Sequence, residues 1–577
     1  MSISELLTKF QTETNLNNQI QIISRLIILD PKNSLKYAET ALNLDNTNVD
    51  ALNNFAFLLH QHQNYQLAII YYKKCLNLYP TYTLAYRGII NLFNEINDTL
   101  NQKLYLEKGI RYCSKDYSLY NQLAIFYTDI QTNSKEIIDG LYSKALFYCN
   151  DEQETTKVLV NIAHTESIFG DYNKAIDIYL QILEKEVPKN VRLLAVNNLL
   201  LDLHYVDFNS IKTKLNIQAN SLEQLNIQLY NKQYKPVQIK SSSRIKNLCF
   251  ISNDLSNHPV ENFITVIFKY LDKKKYNIFL YSNKLLDENS VKKFKECYYS
   301  SISNVSTQTV LQMLKNDQID LIFDLSGHTS GNRLDVIAKT DIQKVHFIGY
   351  PNIVGNYPVI VDTITNPTES NYYLRMPKCF LCYTPKIIIE PLLKPKDAIY
   401  YGCLARVSKI NAELISIWIQ ILNKTPNSFL ILKSRIFGKS ETKLEWLKKY
   451  NINKTIESKL ILLDKTGSPK EHLETFNKIN VHLDTQIYSG TTISCESLYL
   501  NTPVITLKGF YHVSRVTSSI LTCCNLKELI AENWEEYIEK AIYYGKNPIE
   551  TRTLFIKHMM NYKEYIKDFT NILDKLL

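Results

Sequence analysis

A chain of 577 residues is too long for one hydrophobic core, so several domains are expected. Hydrophobic residues make up 45% of it, as in a globular, soluble protein, and no run of about 18 uncharged apolar residues offers a membrane span. The net charge of +9 is spread along the sequence instead of clustered, which fits a solvated surface and argues against a nucleic-acid site. The first residues, MSISELLTKFQTETN, have neither the basic nor the apolar region of a secretory signal. The eleven scattered cysteines then predict reduced thiols and a cytoplasmic or nuclear location. Cys379 and Cys382 form a CxxC spacing without a second pair, inside an apolar run, so a structural role is expected and no metal site.

The first third is helical and repetitive. Within 49–80, apolar or small residues recur at helical spacing: Ala51, Phe55, Ala56 and Leu59, then Tyr65, Ala68, Tyr72, Cys75 and Leu76, with Pro80 closing the unit. Val158, Ile162, Ala163 and Ile168, then Gly170, Tyr172, Ala175, Tyr179, Ile182 and Leu183 repeat the pattern. This resembles the tetratricopeptide repeat, a helix–turn–helix unit of about 34 residues that buries its apolar face only by stacking into a solenoid. Such a solenoid implies a surface for peptides or partner proteins. Helical patterning runs through Leu193–Leu203, and a polar linker follows to Arg244.

From Ile245 strands and helices alternate. IKNLCFIS (245–252), YNIFLYS (276–282), IDLIFDLSG (319–327) and VHFIGYP (345–351) read as buried strands, with helices over Val260–Tyr270 and Val310–Lys315. Alternation of this kind predicts a parallel sheet covered on both faces, with ligands beyond the C-terminal strand ends. The loops placed there are Asn253–Pro259, His328–Arg333 and Pro351–Gly355. A second α/β unit begins near Ala398: a strand to Ala405, a loop Arg406–Lys409, a helix Ala412–Leu422, then strands FLILKSRI (429–436) and KLILLDK (459–465). No GxxxxGK[ST] and no GxGxxG after a strand is present, which argues against a P-loop ATPase and a dinucleotide site.

The most informative stretch is HLDTQIYSGTTISCESLYLNTPVITL (482–507): a strand, a Gly-Thr-Thr turn, a short helix and a second strand. Free N–H groups and the dipole at such a helix start attract phosphate. Thr491 and Thr492 add hydroxyls there, and Glu496 lies one turn further on, within reach of a sugar hydroxyl. The pattern predicts a site for a nucleoside diphosphate.

Several motifs in order give the chain a resemblance to the O-linked N-acetylglucosamine transferases and their SPINDLY-type relatives (glycosyltransferase family 41). They are SNDLSNHPV (252–260), DLSGHTSGNR (324–333), FIGYPNIVG (347–355), MPKCFLCYTP (376–385), SKI (408–410), SGTTISCESLYLNTPVITL (489–507) and HVSRVTSSILT (512–522). The wording leans to the SPINDLY-type and bacterial branch. The resemblance implies a tetratricopeptide-repeat α-solenoid (1–195), a helical transition and linker (196–243), and a two-lobed GT-B glycosyltransferase of two Rossmann-like domains. Its acceptor-side lobe would span 244–390 and its nucleotide-sugar lobe 391–577.

The implied activity is inverting, metal-independent transfer of one sugar to Ser or Thr of intracellular proteins. The family mostly uses UDP-N-acetylglucosamine, and plant SPINDLY proteins use GDP-fucose. Protein or peptide acceptors held by the repeats are the implied partners, with no nucleic acid and no membrane, and a homodimer is left open. By the same resemblance, Lys409 matches the lysine on the donor diphosphate; Thr491 and Thr492 match the helix start that contacts it. Glu496 matches an acid on the ribose, and His472 a histidine near the base. His258 faces the sugar and acceptor, as a base or a positioning group, with His328 and Asn332 lining the same side. Arg515 matches a C-lobe residue that pairs with phosphate or holds the lobe together, with His512 beside it. Three departures stand out: Arg406 replaces an Asn or Gln three residues before the lysine, Ile493 replaces a third hydroxyl, and the loop after Thr365 is shorter than usual. The first two leave open a second class, a repeat-based binding protein with a degenerate catalytic half.

Overall fold

The computed structural model describes residues 2–131, 133–206, 244–256, 258–349, 357–368, 370 and 372–577. The expected loop Pro351–Gly355 and the linker 207–243 lie outside these residues. The chain divides into two compact units, Met1–Asn161 and Ile162–Leu577, so the boundary expected at 195 falls inside the second.

The first unit is built from helical hairpins. The helix Val49–Gln61 starts at Asn48, whose side-chain oxygen accepts from the N–H groups of Asp50 and Ala51, and it buries Ala51, Leu52, Phe55, Ala56 and Leu59. Tyr65–Leu78 returns along it and buries Ala68, Tyr72, Cys75 and Leu76. The repeat is also written in the backbone. Gln63, Asn97 and Gln131 all take left-handed φ of 60°, 58° and 50°. They stand 34 residues apart, each in the turn after a helix.

The second unit opens with the helices Tyr172–Leu183 and Lys189–Asp202 and a 3-10 turn Leu203–Tyr205. A seven-stranded sheet follows: β1 (Lys246–Ser252), β2 (Tyr276–Ser282), β3 (Tyr298–Ser301), β4 (Leu321–Asp324), β5 (Gln343–His346), β6 (Val359–Asp362) and β7 (Tyr373–Met376), in the order β3-β2-β1-β4-β5-β6-β7. Every pairing is parallel. The sequence does not announce β3, β6 or β7: each is four residues long, and β3 has no buried residue. A six-stranded sheet completes the pair: β8 (Ile399–Cys403), β9 (Ser428–Lys433), β10 (Leu460–Leu463), β11 (Val481–Leu483), β12 (Val504–Leu507) and β13 (Ile530–Ala531), in the order β10-β9-β8-β11-β12-β13. Its pairings are parallel as well.

The last helix, Tyr562–Leu576, departs from the expected partition. It follows the second sheet in sequence but packs on the first: Phe569 stacks on Phe323 of β4 at 5.7 Å, and the Tyr565 hydroxyl donates to the Phe380 carbonyl at 3.0 Å. Its apolar stripe of Tyr565, Phe569, Ile572, Leu573 and Leu576 needs a covering surface and finds it there.

Candidate active site

In an open parallel sheet the ligand crevice lies where successive connections leave in opposite directions. That point is between β1 and β4 in the first sheet and between β8 and β11 in the second. The loop after β1 carries His258 and the loop after β4 carries His328; the turn after β8 carries Lys409 and the loop after β11 leads to Thr491. Strand order alone thus brings His258, His328, Lys409 and Thr491 to the two crossing points.

The loop after β11 is pinned by Asp484. Its carboxylate is buried and accepts from the Gly490 N–H at 2.7 Å, the Thr485 N–H at 2.9 Å and the Thr506 hydroxyl at 2.7 Å. Burial raises its pKa, against the pull of these bonds and of Lys409. Gly490 has no room for a side chain: a Cβ would lie 2.2 Å from the Ser494 hydroxyl. The helix Thr492–Tyr499 begins here with Thr491 at its N-cap, and the Thr491 side chain makes no capping bond. Its first-turn N–H groups have no intrahelical acceptor, as at any helix start. Ile493 is partly buried and packs against the hydrophobic core.

Lys409 closes the 3-10 turn Val407–Lys409. Its ammonium donates to the Ser489 carbonyl at 3.2 Å and lies 3.7 Å from the centre of the Tyr488 ring. Part of the side chain reaches solvent, yet the protein packed around the ammonium pushes its pKa down to about 7; Asp484 opposes the shift and Arg406 adds to it. Arg406 is exposed at the start of the same turn. Lys409 and Tyr488 also line a cavity of about 240 Å³ with Asp171, Tyr172, Tyr205 and Ser408.

His472 and Glu496 meet, with the imidazole Nε2 3.2 Å from the carboxylate. Lys433, at the C-terminal end of β9, joins them: its ammonium lies 2.5 Å from Nδ1 of His472. Burial pushes the Lys433 pKa down to about 8, with Glu496 opposing.

On the other lobe, Nδ1 of His258 accepts from the Val260 N–H at 3.4 Å and lies 3.9 Å from the Asp254 carboxylate. Burial lowers the His258 pKa despite Asp254, and Arg406, Lys386 and Lys284 add to the effect, so the imidazole is neutral near pH 7. His328 is buried, 2% exposed, with Nδ1 2.8 Å from the Asn197 side-chain oxygen, which ties its loop to the helix Lys189–Asp202. Asn332 bonds its own loop, donating to the Thr329 carbonyl and accepting from the Leu334 N–H. Arg515 donates to the carbonyls of Gly509 at 2.7 Å and Ile364 at 3.4 Å, and His512 lies 2.6 Å from the Asn366 side-chain oxygen. Both join the second sheet's side to the loop after β6. The contacts of Arg515 fit the lobe-holding alternative expected of it, and the bonds of His328 and Asn332 fix the loop after β4.

Sequence reasoning missed Lys433, Tyr488 and Asp484. Lys433 carried a signal: a charged residue closing an apolar strand sits where such sheets bind ligands. Tyr488 and Asp484 carried none beyond their place in the turn. Among the described residues no group of three His, Cys, Asp or Glu is arranged to hold a metal ion, and no helix is long and apolar enough to cross a membrane. All eleven cysteines are free thiols, and Cys379 and Cys382 are buried.

Comparison with known proteins converges on one group. The model of glycosyl transferase family 41 matches residues 168–387 and 390–566, and a tetratricopeptide repeat model matches residues 49–82. A protein of Arabidopsis thaliana named "Probable UDP-N-acetylglucosamine--peptide N-acetylglucosaminyltransferase SPINDLY" is 29% identical over 325 residues, 53% of this chain and 35% of that protein. The Arabidopsis protein of the same enzyme name designated SEC is 22% identical over 345 residues, 55% of this chain and 35% of its own. The chain thus spans about a third of the length of these curated relatives. A mutant O-GlcNAc transferase of Thermobaculum terrenum superposes with a TM-score of 0.74 at 20% identity, over 86% of this chain and 97% of that one. That likeness shows the fold: a helical repeat region followed by two Rossmann-like lobes.

Proposed function

Since this chain belongs to glycosyl transferase family 41, we propose that it transfers a single sugar from a nucleoside diphosphate donor to Ser or Thr hydroxyls of proteins, with inversion at the anomeric carbon. The observation that carries the reading is the pairing of Lys409 with the start of the helix Thr492–Tyr499, at the crossing point of the second sheet. A diphosphate there meets one ammonium and a set of backbone N–H groups, the charge pattern a departing nucleoside diphosphate needs.

In the reaction the acceptor oxygen forms a bond to the anomeric carbon as the bond to the diphosphate breaks. The electron pair leaves on the diphosphate, where Lys409 and the helix start offset the charge. The hydroxyl proton passes to a base. His258, neutral and on the opposite lobe, is the group this reading assigns, and its Nδ1, whose bond from the Val260 N–H is long at 3.4 Å, is the nitrogen that takes the proton. The chain's own cation carries the charge that a metal carries in other transferases, so the reading includes no metal. Glu496, held by His472, takes the ribose. Protein acceptors are proposed for the repeats.

UDP-N-acetylglucosamine is the donor proposed, on the names of the relatives, and GDP-fucose is its rival. A thermal-unfolding screen against UDP, GDP and their sugars tests the site. Stabilisation by one nucleoside diphosphate and its sugar supports the reading. No stabilisation by any of them supports a binding protein with a degenerate catalytic half.

A further inference from the structure

Three tyrosines from three elements lie in a continuous stack that ends on Lys409. Tyr172, the first residue of the helix Tyr172–Leu183, stacks on Tyr205 of the 3-10 turn, with centroids 4.5 Å apart and planes 12° from parallel. Tyr205 stacks on Tyr488 at 4.8 Å and 11°. The Lys409 ammonium lies 3.7 Å from the Tyr488 centroid, well inside the range of a cation–π contact. The repeat-side turn is held close to the lysine's own turn: a Cβ on Gly170 would lie 3.3 Å from the Ser408 backbone, and Lys449 donates to the Phe169 carbonyl at 2.9 Å.

We propose that Tyr488 is a positioning residue for Lys409, and that Tyr205 and Tyr172 extend it into a ladder that ties the end of the repeat helices to the ammonium. The proposal rests on the donor-site reading above. A lysine on a flexible stem has several places to go in an open cleft. A ring face beneath the ammonium and the Ser489 carbonyl beside it fix one of them. The charged groups facing Lys409 divide in sign: Asp484 supports the ammonium, Arg406 opposes it, and Asp171 lines the same cavity from the repeat side, with the Cys403 thiol nearby. Burial pushes the lysine's pKa down to about 7, so a ring face that favours the cation raises the share of it charged at neutral pH. The ladder also gives the helices at the end of the repeats a physical route to that charge. A shift of Tyr172 or Tyr205 moves the ring that Lys409 rests on.

The test is the reactivity of Lys409 toward acetic anhydride as a function of pH, read by mass spectrometry on the full chain without donor. The wild type should titrate near 7. Tyr488→Leu keeps the surroundings apolar but removes the ring face, and should move the midpoint down by about 0.5–1 pH unit. Tyr488→Phe keeps the face and should leave the midpoint in place. Tyr205→Leu, which leaves both partners of the contact present, should shift it in the same direction as Tyr488→Leu. An unmoved midpoint in Tyr488→Leu, or an equal shift in Tyr488→Phe, overturns the positioning role; an unmoved midpoint in Tyr205→Leu overturns the ladder. Labelling needs no donor. A wild type that transfers no sugar would therefore end the proposed function and leave this result standing.

Discussion

Lys433 and His472 are joined end to end, Nζ to Nδ1 at 2.5 Å. Because Nε2 of the same ring faces the Glu496 carboxylate at 3.2 Å, the pairing puts the imidazole proton on Nε2. The ammonium donates to Nδ1, and the ring donates to the acid. Glu496 is thus aimed by a buried lysine it does not touch. Lys433→Met should leave the fold intact and weaken nucleoside diphosphate binding about tenfold, the scale of one charge-assisted bond. Calorimetric titration with UDP and GDP measures it, and unchanged affinity would show that the acid needs no such support.

Gly490 is a geometric requirement of the turn. A Cβ there meets Ser494 at 2.2 Å and Asp484 at 3.1 Å. Gly490→Ala should therefore displace the helix start and abolish detectable donor binding while the far-ultraviolet spectrum stays native. Adding Ser494→Ala, which removes the nearer obstacle, should restore part of the affinity. Equal loss in the single and double variants would place the defect elsewhere.

The pH dependence of donor binding follows from Lys409. Its pKa is about 7 in the empty site against 10.5 for an ordinary lysine, and a bound diphosphate raises it. Below about pH 7 the ammonium is already formed and affinity should be flat. Above it, binding must take up a proton, so affinity should fall as pH rises. Calorimetry near pH 8 in two buffers of different ionisation enthalpy reads the uptake directly, and Lys409→Ala should abolish it. A dissociation constant that stays level from about pH 6 to 9 contradicts the assignment.

Ile493 tests whether the missing hydroxyl matters. The side chain packs against the core, so Ile493→Thr should cost about 1–2 kcal/mol of stability, seen as a lower unfolding midpoint. Donor affinity should change less than threefold, since Lys409 and the backbone supply the main contacts. A tenfold gain would show the departure to be a true loss of function.

The strand–turn–helix unit over 482–507 is legible in the sequence, and the contacts that hold the loops of the first sheet are not. Strand–turn–helix patterning expects Thr491 and Thr492 at a helix start and Glu496 one turn on, and the structure has them there. The left-handed turns at Gln63, Asn97 and Gln131 follow the repeat that apolar spacing suggested. What failed to show were contacts between segments far apart in the chain. Asn197 lies beside His328, 131 positions away. The Arg515 guanidinium donates to the Ile364 carbonyl, 151 positions away. The last helix reads as part of the second lobe until Phe569 is found on Phe323. Local pattern cannot carry pairings that only the fold creates.

The most direct test of the central claim is transfer itself. Purified protein is incubated with a pool of Ser- and Thr-containing peptides and either UDP-N-acetylglucosamine or GDP-fucose, and the peptides are read by mass spectrometry. The account predicts one added sugar on Ser or Thr with one of the two donors, and a loss of at least about a hundredfold in a folded Lys409→Ala variant. Undiminished transfer in that variant, or no sugar added from either donor by the wild type, would contradict it.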